Sequence, residues 1–240
     1  MSISRPDSLP LLLHTSLHYH NACAHIDELD GVIAGVEVLL KDDGVFIMEV
    51  GYFVDVFQNK WFDTIYHEHF SYFSLLTVKE IFSSHELTIF DVDEILTHGG
   101  SLRIYVNHSE NSHNTVNKKL NNILDIEKQF GLNDVSTYLS FEKKVKNVKQ
   151  HIQKFFVDAK KDGKTIVCYG AAAKGNTLLN YCNIGTDYID YAVDLSLHKQ
   201  GLFLPGTHIP IKDPVDVQTT KPDYLIIIPW NLRDEIMEQM

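Results

Sequence analysis

Thr165-Ile166-Val167-Cys168-Tyr169-Gly170-Ala171-Ala172-Ala173-Lys174-Gly175-Asn176-Thr177 is the stretch on which the fold turns. Thr165 to Tyr169 is an uncharged, largely apolar run with β-branched members, the pattern of a strand buried on both faces. Small residues follow from Gly170, and Leu178 to Tyr181 opens a helix. Strand, small-residue loop and helix make the first half of a parallel α/β unit. Tyr188 to Val193 supplies another strand, ending at Asp194, and Tyr224 to Ile228 a further one, ending at Pro229-Trp230-Asn231. Ahead of them Leu139, Phe141, Val145, Val148, Ile152 and Phe155-Phe156 recur mostly at three- and four-residue steps. That spacing predicts a helix from Val135 to about Ala159, stopped by Asp162-Gly163.

The front of the chain shows a second α/β pattern. Leu29, Val32, Ile33, Val36 and Leu39-Leu40 have helical spacing, with Asp27 or Asp30 placed to cap the start. Asp42-Asp43-Gly44 reads as a turn into the buried strand Val45-Phe46-Ile47-Met48-Glu49-Val50. Leu76 to Phe82 reads as a short helix capped by Ser74 or Thr77. Leu87 to Ile95 and Ser101 to Val106 flank the turn Thr97-His98-Gly99-Gly100, so those strands should pair antiparallel and close a mixed sheet. Leu11 to Leu13 begin something strand-like without an evident partner, and residues 108–118 read as an Asn-, Ser- and His-rich linker.

At 240 residues and 27.4 kDa the chain can form one large domain or two small ones. A net charge of -11 argues against non-specific nucleic-acid binding, because a phosphate backbone would be repelled. Three cysteines without C-x-x-C spacing suggest buried thiols, not a disulfide framework or a zinc site. No apolar run is long enough to span a membrane, and the expected location is cytoplasmic.

Three motifs carry chemistry. Gly170, Ala172 and Gly175 form G-x-A-x-x-G, with Asp194 at the end of the next strand. This is the layout of a dinucleotide or phosphate loop, in which small residues admit a pyrophosphate to a helix N-terminus. Ala172 in the second position weakens the match, and Lys174 precedes Gly175 where a P-loop lysine would follow its glycine. A tight turn with no ligand is the plain alternative. The second motif is Phe62-Asp63-Thr64-Ile65-Tyr66-His67-Glu68-His69-Phe70, where imidazoles and carboxylates lie among aromatics. It suits acid–base work, a metal pair through His67 and His69, or a hydrogen-bonded polar core. The third is Thr97 to Arg103, where His98, Gly100, Ser101 and Arg103 either face a sugar or phosphate or simply make a hairpin turn.

Together with Asn21-Ala22-Cys23-Ala24-His25-Ile26-Asp27, these motifs occur in the order seen in S-adenosylmethionine-dependent sugar C-methyltransferases, which the chain resembles from about residue 21 to its end. The resemblance implies that His69 is the general base, with Tyr66 and Glu68 beside it. It implies S-adenosylmethionine as cofactor, with Asn21 and His25 toward its site, and a nucleotide-activated keto-deoxysugar as substrate. His98, Gly100, Ser101, Arg103, Gly170, Lys174, Gly175, Asn176 and Thr177 are then the substrate-binding candidates, and no metal is expected. The family's cysteine-rich zinc module and its glycine loop for the methyl donor have no counterpart in residues 1–20, so the chain reads as the C-terminal portion of such an enzyme.

The expected fold class is α/β, a partial methyltransferase-type mixed sheet followed by a Rossmann-like C-terminal unit. The expected divisions are residues 1–20 unmatched, 21–108 methyltransferase-like, 109–134 a linker or helical connection, and 135–240 a helix plus the nucleotide-sugar unit. Two other functions compete: a nucleotide-sugar-binding module without transferase activity, and an NAD-dependent oxidoreductase built on the Gly170 loop.

Overall fold

The structure is a computed structural model that describes residues 14–111 and 117–240. The chain divides into two compact units, and α/β architecture holds in both. Unit 1 comprises residues up to Gln58 together with His67–Tyr138, and unit 2 comprises Asn59–Tyr66 and Leu139–Met240.

Unit 1 is built from β1 (His14–His20), α1 (Leu29–Leu39), β2 (Leu40–Gly51), α2 (Phe53–Asn59), α3 (Leu75–Ser83), β3 (Leu87–Ile95), β4 (Ser101–His108) and α4 (Lys118–Phe130). The strands lie in the order β1-β2-β4-β3, with β1 parallel to β2 and the other pairs antiparallel, so the sheet is mixed as its hairpin implied. Phe46, Met48 and Val50 of β2 and Leu102, Ile104 and Val106 of β4 are buried, which explains the apolar runs.

Several local expectations change. Glu28, not Asp27 or Asp30, caps α1, its carboxylate accepting from the Gly31 N–H at 3.2 Å. Asp42-Asp43-Gly44 lies inside β2. The pairing passes from His14 opposite Leu40 to Ser16 opposite Val45, so these residues form a bulge in place of a turn. A Cβ on Gly44 would sit 2.8 Å from Leu40 Cδ1 and 3.0 Å from the His14 carbonyl, hence the glycine. Ser74 is the cap of α3. Leu11 to Leu13 lie outside the described residues, and the strand described there begins at His14.

Unit 2 takes α5 (Val135–Lys161) from Leu139 onward, then β5 (Ile166–Tyr169), α6 (Ala173–Cys182), β6 (Tyr191–Val193), β7 (Ile211–Lys212), α7 (Val215–Thr220), β8 (Tyr224–Ile227) and α8 (Arg233–Gln239). Its sheet is wholly parallel in the order β7-β6-β5-β8. The chain moves outward from β5 to β6 and β7, then returns to add β8 on the other edge of β5. Strand order therefore reverses between β5 and β8. In open parallel sheets the crevice beyond the strand ends at such a reversal is where ligands bind. Phe62 joins the unit 2 core with Ile166, Cys168, Leu179 and Ile228, which brings the Asn59–Tyr66 segment into this unit.

Candidate functional site

In unit 2 the turns after β5 and β8 meet at the strand-order reversal. Gly170 has φ +97, and a Cβ there would lie 2.5 Å from Pro229 Cδ, so both backbone conformation and close approach demand glycine. Helix α6 begins at Ala173, five residues before the apolar pattern that signals it, because alanines carry no periodicity. Lys174, Gly175, Asn176 and Thr177 thus occupy its opening turns. No side chain caps this helix at Ala172, which leaves its N-terminal dipole open to an anion. Gly175 is buried, and a Cβ on it would meet Ile228 Cγ2 at 2.1 Å, so its evident task is close helix–strand packing. The Asn176 Oδ1 is buried and without a hydrogen-bond partner, while the Thr177 hydroxyl donates back to the Ala173 carbonyl at 3.4 Å.

Lys174 reaches the other turn. Its Nζ donates to Asn231 Oδ1 at 2.8 Å and lies 4.7 Å from the centroid of the Trp230 ring. The Trp230 indole stacks on Trp61 with centroids 4.3 Å apart, and its N–H donates to Asp63 Oδ2 at 2.8 Å. Burial lowers the Lys174 pKa, opposed by the charge of Asp63, and burial raises that of Asp63, opposed by Trp230 and Lys174. Asp194, the acid that completes the dinucleotide layout, is engaged by the protein itself. Its carboxylate accepts from the backbone N–H groups of Ala171 at 2.7 Å and Ser196 at 2.9 Å, and from Lys199 Nζ at 3.1 Å. Burial works to raise its pKa, but those donors outweigh it and hold the carboxyl below its usual range.

In unit 1 the segment from Glu68 to Ser71 is laid against the short 3-10 turn Cys23–His25. Phe70 N–H donates to the Ala24 carbonyl at 2.8 Å, and His25 Nδ1 lies 2.9 Å from the Glu68 carbonyl. A carbonyl only accepts, so in neutral His25 the proton is on Nδ1 and the lone pair on Nε2. The His25 and His69 rings meet edge-on with centroids 4.7 Å apart. His69 is half-buried, whereas the side chains of His67 and Glu68 are exposed, and Tyr66, half-buried, falls in the stretch assigned to unit 2. Unit 1 thus brings together His69 and the backbone of Glu68, from the expected catalytic set, with His25, expected toward the cofactor.

The other expected residues of unit 1 make contacts of their own. Asn21, at φ +52, holds the exit of β1 by donating its backbone N–H to the Glu49 carbonyl at 2.9 Å. Arg103, on β4 opposite Glu49, donates through Nε to the Glu49 carboxylate at 2.5 Å, and His20 Nδ1 lies 2.9 Å from the same carboxylate. Burial would raise the Glu49 pKa, yet His20 and Arg103 outweigh it and lower it. His98 is exposed at φ +56, the Ser101 hydroxyl donates to the Thr97 carbonyl at 2.9 Å, and a Cβ on Gly100 would meet Asp55 Oδ2 at 2.1 Å. These contacts hold the turn between β3 and β4. Asp63, Trp61, Trp230, Glu49 and His20 were not singled out from the sequence for these roles. The clearest available signal was that the chain's two tryptophans lie next to candidate motifs.

Comparison with known proteins places these arrangements in a family. Residues 96–240 match the C-methyltransferase C-terminal domain. The C-methyltransferase NovU of Streptomyces niveus is 38% identical over 223 residues, which cover 92% of this chain and 53% of that protein. The chain belongs to the C-methyltransferase family. It spans about half the length of this curated relative.

Membership raises the question of the methyl donor. S-adenosylmethionine needs a backbone cradle for its ribose and amino acid, and what the described part of unit 1 offers does not fit. After β1 the chain turns at Asn21, whose backbone is tied to Glu49, and His25 spends Nδ1 on Glu68. Gly31 and Gly44 are closed against their own neighbours' side chains. Among the described residues no three His, Cys, Asp or Glu side chains are grouped to hold a metal ion, and no helix is long and apolar enough to cross a membrane. The three cysteines are buried and free, with burial pushing Cys23 and Cys182 up to about 11 and Cys168 to about 12, so none is poised as a nucleophile.

Proposed function

We propose that the chain serves C-methylation of a nucleotide-activated keto-deoxysugar, supplying the proton-abstracting base and the hold on the nucleotide. The observation that carries this reading is the half-buried His69 imidazole packed on a His25 whose tautomer is set by the Glu68 carbonyl. A carbon next to a ketone is acidic because its carbanion spreads onto oxygen as an enolate. His69 takes that proton, and the electron pair moves toward the ketone oxygen. A donor at the developing oxyanion lowers the barrier. The sequence offers Tyr66 or His67 for this role. S-adenosylmethionine is the expected methyl source, by family. In unit 2, Lys174, Asn176 and the uncapped start of α6 suit a diphosphate. The engagement of Asp194 by three donors favours this reading over an NAD-dependent oxidoreductase.

The test is exchange of the sugar's α-proton with deuterated water, using a thymidine-diphosphate keto-deoxysugar. His69→Asn should abolish the exchange that the unaltered chain supports. Retention of exchange in His69→Asn with loss in His25→Asn would move the base to His25. Retention in both would reject the mechanism.

A further inference from the structure

The proposed chemistry makes no use of Asp63, yet it is one of the few buried carboxylates, 5% exposed on the Phe62–Thr64 turn. A carboxylate removed from water has to be compensated. Here the compensation is the Trp230 indole N–H at 2.8 Å and the field of the Lys174 ammonium. Trp230 is held by two further contacts, the stacked Trp61 ring and the Lys174 ammonium. The residues share one place in unit 2, beside the reversal of strand order between β5 and β8, and Asp63 stands three residues before Tyr66.

We infer that Asp63 is a positioning residue: through Trp230 it fixes the Lys174 ammonium where an anionic ligand is received, and it anchors the segment leading to Tyr66. This rests on the reading of Lys174 as a diphosphate-holding group. The groups facing Lys174 are the Asp63 carboxylate from the Phe62–Thr64 turn and the Trp230 ring and Asn231 amide from the turn after β8. Among the described residues Asp63 is the charged one. Its charge opposes the effect of burial on the half-buried ammonium, because an opposite charge nearby favours the charged form that burial disfavours. Asn at position 63 would retain an acceptor for the indole but remove that support. A diphosphate entering at Lys174 would also change the surroundings of both tryptophans at once. Since the chain has no others, its tryptophan fluorescence reports this place alone.

The experiment follows fluorescence and calorimetric binding of thymidine diphosphate and uridine diphosphate across pH, in the full chain and in Asp63→Asn and Trp230→Phe. The unaltered chain should bind at least one of them, losing affinity at alkaline pH as Lys174 deprotonates. Asp63→Asn should bind about tenfold more weakly, with its alkaline limb moved to lower pH. Trp230→Phe should change in the same direction, which keeps the test alive if Asp63→Asn does not fold. Equal affinity and an unmoved limb in both variants would overturn the inference while leaving the diphosphate site standing. Weaker binding with an unmoved limb would reduce Asp63 to a packing role and overturn it as well. Failure of both nucleotides to bind the unaltered chain would sink the diphosphate reading and the inference with it.

Discussion

At the scale of single residues, glycines and buried charges decide most. Gly170 and Gly175 share a motif but not a constraint. At Gly170 a side chain meets both a positive φ and the Pro229 ring, neither of which can yield. At Gly175 the obstacle is a methyl group of Ile228, which has other rotamers. Gly170→Ala should therefore cost about 2–4 kcal/mol in urea unfolding, and Gly175→Ala about half of that. Equal losses would show that φ at Gly170 is not limiting. Both glycines were legible in the sequence as members of one phosphate-loop pattern, with a tight turn as the alternative. The close approach of Ile228 to Gly175 was not, because Ile228 lies more than fifty residues on, just beyond β8. Asp63 escaped for the same reason, since Trp230 lies 167 residues away.

Among elements, the apolar strands and the long helix α5 stand where their patterns put them, while α4, within the stretch read as a linker or helical connection, and β1 carry fainter apolar patterns. Helix α4 buries Leu120, Ile123 and Leu124, and the next position on that face is Glu127, fully buried. A carboxylate where a leucine is expected breaks the apolar stripe. It is there because it caps another helix: its two oxygens accept from the Leu75 and Leu76 N–H groups at the start of α3, each at 2.7 Å. Glu127→Ala would strand two buried donors and leave a void, and should destabilise unit 1 by about 2–4 kcal/mol. Strand β1 was missed because only Leu17 and Tyr19 of its seven residues pack on the core. The start of β5 shows the opposite economy. Exposed Asp223, just ahead of β8, accepts from the Thr165 N–H and hydroxyl and from Lys164, each at 2.9 Å, which pulls its pKa down to about 2. Its folded pKa lies below the unfolded value of about 3.9. The contribution is thus present above pH ~4 and lost as pH falls through about 2. Asp223→Asn should flatten the acid limb of stability in that window, and an unchanged limb in acid titration would show the interaction to be idle.

For the whole molecule, the informative fact is that each unit has its own core. Phe46, Ile104 and their neighbours form one cluster, and Ile166, Ile189 and theirs another. Units with separate cores are expected to unfold as separate cooperative steps. The protein carries its own probe for this, because both tryptophans lie in unit 2 while helices and strands occur in both units. Ile104 is fully buried in unit 1, so Ile104→Ala should cost about 2–4 kcal/mol there. It should shift the midpoint followed by far-UV circular dichroism and leave the tryptophan-fluorescence midpoint in place. Ile166→Ala, equally buried in unit 2, should move the fluorescence midpoint instead. A single transition that both variants displace equally by both probes would mean that the two cores unfold as one. Deuterium exchange at the sugar and binding at Lys174 would then have to be interpreted as properties of one cooperative structure.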